Sequence, residues 1–434
     1  MNWRITPAGP LHGRIEVPGD KSITHRAYIF GAVGEGPTVV TGPLRAEDTD
    51  NTLRAVVHLG VQVEDLGEKV IINGTGPSGL REPGDVLDLG NSGTAVRLLA
   101  GLLAGCPFMS ILTGDASLRR RPMARIADPL RSMGALVDGR ENGNLLPLTI
   151  RGGGLTGIEY HSSVASAQVK SCVLLAGLQA SGRTVFREPS LSRDHTERIL
   201  RRMGVRLVEG GEGLSLEGGQ VPRGCGIDVP GDISSAAFFM VAASTVRESD
   251  VAIGNVGVNP TRTGIVRLLE SMAADIEVRE RTDDHEPVAD IRVRGSRALQ
   301  GIEVPPEWIP SIIDELPLAA VAAAAAEGTT VIRGAAELRV KESDRIRTTV
   351  QMLRGAGITI EELDDGFIVH GGARVRAACF DSGGDHRIAM ASAILSLMAG
   401  SPSEVTDTSC VSTSFREFPE TLNALAPGSV TEHS

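Results

Sequence analysis

The feature of this sequence that most constrains its fold is a pattern that recurs six times along the 434 residues. Each copy contains a short strand, a glycine turn, a second strand and a polar cluster that opens an apolar helix. The helices are predicted to start near Asp20, Asn91, Ser166, Asp232, Asp314 and Asp385. Six similar units must either stack in one array or be divided among separate lobes, so the repeat limits the possible architectures.

The second half of each copy contains another strand and an amphipathic helix that ends near glycine. TLRAVVHLG and TTVQMLRGAG are two examples. The repeating unit is therefore predicted to be βαβαββ, which places the protein in the α/β class. The sixth copy lacks its trailing strands, and we expect WRITP and GRIEV near the N-terminus to supply them.

The first helix of each unit is apolar on nearly all sides, as in LPLAAVAAAAA and IAMASAILSLMAG. Such helices are typical of a protein interior. Six buried helices do not easily share one core, so we expect two lobes of three units each that close over a ligand. Residues 1–19 and 235–434 would form one lobe, and residues 20–234 the central lobe. An alternative is a tandem array that serves as a binding scaffold.

Charge and cysteine content restrict the classes of partner. The formal net charge of −11 argues against nucleic acid or an anionic membrane as a partner. The five cysteines are widely spaced without a CxxC pair, which favours a reduced compartment and no zinc site. No apolar run approaches the roughly 20 residues of a membrane span, and no leader-like segment is evident, so we expect a cytoplasmic protein.

Cations and polar residues accumulate at the predicted helix starts. Helix N-termini favour anions, although Asp, Asn and Ser there are also ordinary caps. A cation beside the cap, as in GDKS and GDHR, has no capping role. Equivalent loops of the repeat, expected at the same end of the fold, add Arg119, Arg120, Arg121, Ser192, Arg193, Lys341, Glu342, Asp344 and Arg345. The alternative is a solvated charged surface. GRIEVPGDKS does not meet the spacing of a P-loop.

Seven motifs carry a family resemblance: PGDKSITHRA, GNSGTAVRLLAG, LRRRPM, SAQVKS, DELPLAA, RVKESDR and GDHRIAMA, in that order. With them the chain resembles the enolpyruvyl transferases, and among these the 5-enolpyruvylshikimate-3-phosphate synthase family. The resemblance implies a two-lobed inside-out α/β barrel with three units per lobe. It also implies enolpyruvyl transfer from phosphoenolpyruvate to the 5-hydroxyl of shikimate 3-phosphate, by addition and elimination through a tetrahedral intermediate that releases phosphate. This step belongs to the shikimate pathway of aromatic amino acid biosynthesis.

The resemblance also implies a role for individual residues. Shikimate 3-phosphate would be held by Lys21, Ser22, Arg26, Ser166, Ala167, Gln168, Arg193, Asp314 and Lys341. Phosphoenolpyruvate would be held by Lys21, Asn91, Gly93, Thr94, Arg121, Gln168, Arg345 and Arg387. Asp314 is the candidate base, and Glu342 the candidate proton donor, with Lys21 as its competitor. The central lobe would be the shikimate 3-phosphate side, and the lobe of both chain ends the phosphoenolpyruvate side with the catalytic carboxylates.

The resemblance further implies a monomer whose partners are the two substrates, without a cofactor or a metal. Seven of the implied residues are cations, which would offset the charge of the two phosphates and two carboxylates of the substrates. The chain departs from the family pattern in the segment SCVSTSFREF. Many members of the family have a lysine there, whereas this chain has Ser412, Thr413 and Ser414.

Two rival functions stay open at this point. The first is a sister enzyme that transfers enolpyruvyl to UDP-N-acetylglucosamine. It commonly uses a loop cysteine as its acid, and TGDASLRRR contains none. The second is a non-catalytic anion-binding scaffold, which would not need Lys341 and Glu342 together with Asp385, His386 and Arg387.

Overall fold

A computed structural model describes residues 1–7, 9–211, 213–281 and 285–433. The chain divides into two compact units, one of Met1–Pro18 with Pro230–Ser434 and one of Gly19–Val229. The expected boundaries were 19/20 and 234/235. The second crossing comes earlier because Val229 still hydrogen-bonds to Thr41 in the 19–229 unit, whereas Asp232 bonds to Pro18 in the other.

Each unit contains three apolar helices. They are Lys21–Val33, Gly93–Ala104 and Ala167–Leu178 in the 19–229 unit, and Ile233–Thr245, Leu316–Ala325 and His386–Ser396 in the other. Five of the six begin at a side-chain cap that accepts a backbone N–H of the first turn: Asp20, Ser92, Ser166, Asp232 and Asp385. Leu316–Ala325 instead has a proline in its first turn. The capping signals in the sequence therefore located most of these helices.

The helices within each unit pack closely. In the 19–229 unit, a Cβ at Gly101 would lie 2.2 Å from the backbone oxygen of Cys172, so the helices that carry them meet at a glycine. In the other unit, Leu316–Ala325 has mostly alanine side chains and all but its last residue is buried. The low aromatic content, 3%, is consistent with cores built from small and aliphatic side chains.

The described strands form six sheets, and in five of them one parallel pair is followed by two antiparallel pairs. In the 19–229 unit the sheets are Gly226–Asp228, Glu35–Thr41, Lys69–Thr75 and Gln62–Asp65; Leu87–Asp88, Met109–Thr113, Leu145–Arg151 and Leu136–Gly139; and Glu159–His161, Arg183–Arg187, Gly213–Glu217 and Leu207–Gly210. In the other unit they are His12–Glu16, Asp250–Gly257, Val288–Arg294 and Asp275–Arg281; Thr329–Ile332, Gly366–His370 and Thr359–Leu363; and Cys379–Asp381, Ser403–Thr406, Asn2–Ile5 and Val430–His433. The three-stranded sheet has a single parallel bridge, Glu303 to Val331, in place of its first strand.

The two ends of the chain pair with each other, but only one predicted terminal strand lies where it was expected. Asn2–Ile5, within WRITP, pairs with Ser403–Thr406 and with Val430–His433. The prediction for GRIEV is wrong, since His12–Glu16 pairs in parallel with Asp250–Gly257. The C-terminus supplies the remaining strand itself. His12–Glu16 lies before the point at which the chain passes into the 19–229 unit, so this strand stays in the unit of both chain ends. The helix that follows it, Lys21–Val33, lies in the 19–229 unit.

Six further helices each follow a strand of a different sheet. They are Glu47–His58, Ala124–Ser132, His195–Arg202, Gly264–Ser271, Arg345–Gly355 and Phe418–Leu425. Each includes residues of an amphipathic segment recognised in the sequence. Among the described residues, no single helix is long and apolar enough to cross a membrane, and one sharply bent pair, Pro306–Ile312 with Leu316–Ala325, meets that test by length and composition only.

Candidate active site

The three buried helices of the 19–229 unit begin at a group of polar and charged residues that we call the helix-start cluster. Its members are Lys21, Ser22, Arg26, Asn91, Gly93, Thr94, Arg121, Ser166, Ala167, Gln168 and Arg193. All were predicted as substrate-binding residues from the sequence. Most of them are linked by the hydrogen bonds described next, so the structure brings together side chains that lie as much as 171 positions apart.

Gln168 joins two helix starts within the helix-start cluster. Its Nε2 donates to Thr94 Oγ1 at 2.9 Å, and its Oε1 accepts from Arg97 Nη1 at 2.6 Å. Arg97 also donates to the backbone oxygen of Pro122 at 3.2 Å. Sequence reasoning missed Arg97, although a charged residue within the apolar helix GTAVRLLAGLLA was a signal that could have found it. Both ends of the Gln168 amide are therefore fixed.

Arg121 is oriented by the start of a neighbouring helix. Its Nη2 donates to Asn91 Oδ1 at 2.5 Å, and Asn91 Nδ2 donates to Asp115 Oδ2 at 2.7 Å. Arg121 is buried, whereas Arg119 and Arg120 of the same run are exposed. A Cβ at Gly93 would lie 2.9 Å from Arg97 Nη1 and 3.3 Å from Arg121 Nη1. Gly93 therefore leaves room for two guanidinium groups.

Arg26 is only 2% exposed and bonds to protein oxygens. Its Nε donates to Thr196 Oγ1 at 2.8 Å and its Nη2 to Ser171 Oγ at 3.0 Å. Its Nη1 donates to the backbone oxygen of Ser22 at 3.0 Å, while Arg193 Nη1 donates to Ser22 Oγ at 3.4 Å. Two arginines therefore converge on Ser22, one on its backbone and one on its side chain.

The other unit holds a second group, which we call the Arg345 cluster: Asp314, Lys341, Glu342, Arg345, Asp385 and Arg387. Arg345, 1% exposed, is surrounded by three carboxylates. Its Nε lies 2.8 Å from Asp385 Oδ2, its Nη1 3.3 Å from Asp314 Oδ1, and its Nη2 2.6 Å from Glu342 Oε2. Sequence reasoning placed Asp385 at a helix start and missed its contact with Arg345.

The shifted pKa values of Asp385 and Arg345 favour the charged form of both groups. Burial, the largest single influence, raises the pKa of the Asp385 carboxyl, but the charge and hydrogen bonds of Arg345 together with the charge of His386 hold that pKa below its usual value. Burial alone lowers the pKa of the Arg345 guanidinium, but Asp385, Glu342 and Asp314 outweigh burial and raise it. Each group is stabilised in its ionised form by the other.

Asp314 lies between cations of the Arg345 cluster. Its Oδ1 accepts from Lys341 Nζ at 3.2 Å and from Arg345 Nη1 at 3.3 Å. Arg387 Nη1 donates to the backbone oxygen of Asp314 at 2.8 Å and lies 3.4 Å from Glu315 Oε1. Such a carboxylate can accept a proton from a hydroxyl within hydrogen-bond reach.

These ion pairs correct the charge balance inferred from the sequence. Arg345 faces three carboxylates, Lys341 pairs with Asp314, and Lys21 Nζ lies 3.1 Å from Asp48 Oδ2. Because each of these three cations already faces at least one carboxylate, counting the seven cations alone overstated the positive charge available to ligands.

The segment SCVSTSFREF, where the family resemblance implied a lysine that this chain lacks, forms local hydrogen bonds. Thr413 Oγ1 donates to the backbone oxygen of Cys410 at 2.7 Å and lies 3.5 Å from His386 Nδ1. Ser412 Oγ donates to the backbone oxygen of Ser409 at 2.8 Å.

Over the part of the chain that the structure describes, no group of three His, Cys, Asp or Glu residues is placed to hold a metal ion.

The fold and the two clusters define a mixed α/β protein that concentrates guanidinium, ammonium and carboxylate groups at the starts of buried helices, an arrangement suited to anionic ligands. The family model described as EPSP synthase (3-phosphoshikimate 1-carboxyvinyltransferase) matches residues 5–422, and the chain belongs to this family. The resemblance seen in the seven motifs is thereby confirmed.

Relatives and solved structures agree with this membership. A 3-phosphoshikimate 1-carboxyvinyltransferase from Geobacter sp. strain M21 is 52% identical over 425 residues, which is 98% of this chain and 99% of the relative. One of the same name from Bacillus cytotoxicus is 49% identical over 416 residues, 96% of this chain and 98% of the relative. The solved EPSP synthase from Acinetobacter baumannii has a TM-score of 0.88 and 45% identity, covering 99% of this chain and all of that one.

Proposed function

We propose that this protein transfers the enolpyruvyl group of phosphoenolpyruvate to the 5-hydroxyl of shikimate 3-phosphate and releases phosphate. The observation that carries the proposal is the family match over residues 5–422. The reaction is a step of the shikimate pathway, which supplies aromatic amino acid biosynthesis. The Asp314 carboxylate between Lys341 and Arg345 adds a chemical argument, since the transfer needs a base beside cations that hold anions.

The six sheets support a finer proposal about the architecture. We propose that they belong to six copies of one βαβαββ unit, three in each lobe of an inside-out α/β barrel. The support is the strand order, which repeats from sheet to sheet with one parallel pair followed by antiparallel pairs. Each copy then contributes one buried helix whose start can carry a site residue.

The helix-start cluster supplies most of the proposed substrate contacts. Shikimate 3-phosphate is held by Lys21, Ser22, Arg26, Ser166, Ala167, Gln168, Arg193, Asp314 and Lys341. Phosphoenolpyruvate is held by Lys21, Asn91, Gly93, Thr94, Arg121, Gln168, Arg345 and Arg387. Planar guanidinium groups suit carboxylate and phosphate because they can donate two parallel hydrogen bonds. The fixed orientations of Arg121 and Gln168 reduce the entropy lost on binding.

The proposed mechanism begins with the Asp314 carboxylate taking the proton of the 5-hydroxyl. The oxygen then bonds to C2 of phosphoenolpyruvate while its methylene carbon gains a proton, for which Glu342 is our candidate donor and Lys21 its competitor. In the second half, the methyl carbon returns a proton to the donor, the C2–C3 double bond re-forms, and the bond from C2 to the phosphate oxygen breaks as the departing phosphate takes the proton that Asp314 had accepted. No redox cofactor is needed, since no electrons leave the substrates.

A phosphate-release assay tests this function against its rivals. The protein would be incubated with phosphoenolpyruvate alone, with added shikimate 3-phosphate, or with added UDP-N-acetylglucosamine. We expect release only with shikimate 3-phosphate, since the family model and the relatives do not favour the UDP-sugar. Turnover with the UDP-sugar but not with shikimate 3-phosphate would identify the sister activity. If no phosphate were released with either acceptor, the non-catalytic binding scaffold would remain.

We further propose that the protein acts as a monomer in the cytoplasm with these two substrates as its partners. The net charge of −11 supports the absence of a polyanionic partner, because nucleic acid would be repelled. Sedimentation velocity with and without both substrates tests the monomer. A stable dimer in either condition would overturn it.

A further inference from the structure

Lys170 is a buried cation to which the proposed mechanism assigns no role. It lies on the first turn of Ala167–Leu178, two residues after Gln168, and is 2% exposed. Its Nζ lies 2.8 Å from Glu197 Oε1 and 3.0 Å from Glu188 Oε1, and it donates to the backbone oxygen of Ser192 at 3.3 Å. A buried ammonium group is tolerated only with such partners.

The three partners of Lys170 come from consecutive parts of the chain. Glu188 follows the strand Arg183–Arg187, Ser192 lies in the next loop, and Glu197 lies in the helix His195–Arg202. Lys170 therefore anchors both ends and the middle of this loop to the helix that also carries Gln168.

The peptide groups of Ser192 are fixed from two sides. Its N–H donates to Glu188 Oε1 at 3.0 Å, while its carbonyl accepts from Lys170. Glu188 itself is paired with Lys170, so the three groups form a closed ring of polar contacts. The next residue is Arg193, whose Nη1 reaches Ser22 Oγ at 3.4 Å. The ring thus fixes the backbone immediately before a residue of the helix-start cluster.

We propose that Lys170 is a positioning residue for the binding of shikimate 3-phosphate. It holds Arg193 in register with Ser166 and Gln168. The inference rests on the proposed function, in which those three residues bind this substrate. Lys170 itself does not touch the ligand. Burial raises the pKa of Glu197 and the charge of Lys170 opposes that rise, so the ammonium group also helps to keep its anchor ionised.

The test is a double-mutant cycle with Lys170→Met and Arg193→Ala, read as the dissociation constant of shikimate 3-phosphate by calorimetry. We expect each single variant to weaken binding by about tenfold, and the second substitution to add less than about twofold to the first. The KM for phosphoenolpyruvate should change much less than that for shikimate 3-phosphate. Lys69→Met, at an exposed lysine, is the control and should match the parent protein.

Each outcome distinguishes a separate failure. Losses that multiply in the double variant would overturn the positioning role and leave Lys170 as a residue that only stabilises the fold. Unchanged binding in Arg193→Ala would instead overturn the proposed contact of Arg193 with the substrate. If Lys170→Met does not fold, the same cycle is run with Glu188→Ala, which removes the acceptor of the Ser192 N–H but leaves Lys170 paired with Glu197.

Discussion

Arg345 and Asp385 form a two-point ion pair from which water is excluded. Arg345 Nε lies 2.8 Å from Asp385 Oδ2 and Nη2 lies 3.2 Å from Oδ1, with side chains 1% and 0% exposed. The same carboxylate caps His386–Ser396 by accepting the Arg387 N–H at 2.9 Å. One aspartate therefore fixes a helix start and the arginine that opens Arg345–Gly355.

Asp385→Asn should destabilise the fold because it leaves the Arg345 guanidinium buried without its main partner. Breaking a buried pair in this way costs about 3–5 kcal/mol in the free energy of unfolding. Urea denaturation followed by circular dichroism measures the change. Asp250→Asn is the control, since Asp250 pairs with Arg292 at the surface and should contribute little. Equal effects of the two substitutions would contradict a special role for the buried pair.

Asp314→Asn should reduce turnover far more than substrate binding. The amide is nearly isosteric with the carboxylate but cannot accept the proton of the 5-hydroxyl, so kcat should fall by about 10²- to 10⁴-fold. The dissociation constant for shikimate 3-phosphate should change by only a few-fold, because Lys341 and Arg345 remain in place. Weak binding together with a normal rate would remove Asp314 as the base.

Arg121→Ala should raise the KM for phosphoenolpyruvate more than that for shikimate 3-phosphate. Arg121 is buried and oriented by Asn91, so its loss removes a fixed guanidinium group from the helix-start cluster. We expect an increase of about tenfold or more, in keeping with a charged hydrogen-bond donor. Arg120→Ala, at the exposed neighbour, is the control. The reverse ranking of the two KM values would show that Arg121 serves the other substrate.

Gly93→Ala should act through the same arginine. The added methyl group would lie 2.9 Å from Arg97 Nη1 and 3.3 Å from Arg121 Nη1, so both guanidinium groups must shift. Since small displacements at a site are costly, we expect the KM for phosphoenolpyruvate to rise by about tenfold. Steady-state kinetics with each substrate varied tests this. An unchanged KM would indicate that the arginines move aside freely.

The buried histidine His25 should make stability fall on mild acidification. Its ring bonds to Thr52 and Ser92, and burial, followed by the charges of Lys21 and Arg26, lowers its pKa well below 6.5. The unfolded chain therefore binds a proton that the folded protein excludes. The stabilisation is complete above about pH 6.5 and is lost as the pH falls toward the folded pKa, by up to about 1.4 kcal/mol per pH unit.

Unfolding by urea at several values from pH 7.5 to 5.5 measures this dependence. His25→Gln should flatten the slope, whereas His58→Gln, at an exposed histidine, should keep it. Parallel slopes in His25→Gln and the parent protein would assign the acid sensitivity to other groups.

Local chemistry made much of the fold predictable. Capping residues such as Asp20 and Asp385 mark helix starts within one turn, and the change from alternating to helical periodicity separates strands from helices. Lys21 was found in the same way, because a lysine beside a cap has no capping role. Arg121 and Arg193 were found from equivalent loops of the repeat, whereas Arg26 was implied only by the family resemblance.

Long-range pairing decided the rest. The sequence by itself determined the repeating α/β pattern, the buried helices and the residue types at their starts, since these depend on neighbours a few positions away. Only the tertiary structure decided that His12–Glu16 joins Asp250–Gly257, that Arg97 holds Gln168, and that Arg345 is enclosed by carboxylates. The physical reason is that a strand edge or a buried charge can be satisfied by any suitable partner, and the fold selects which one comes within reach.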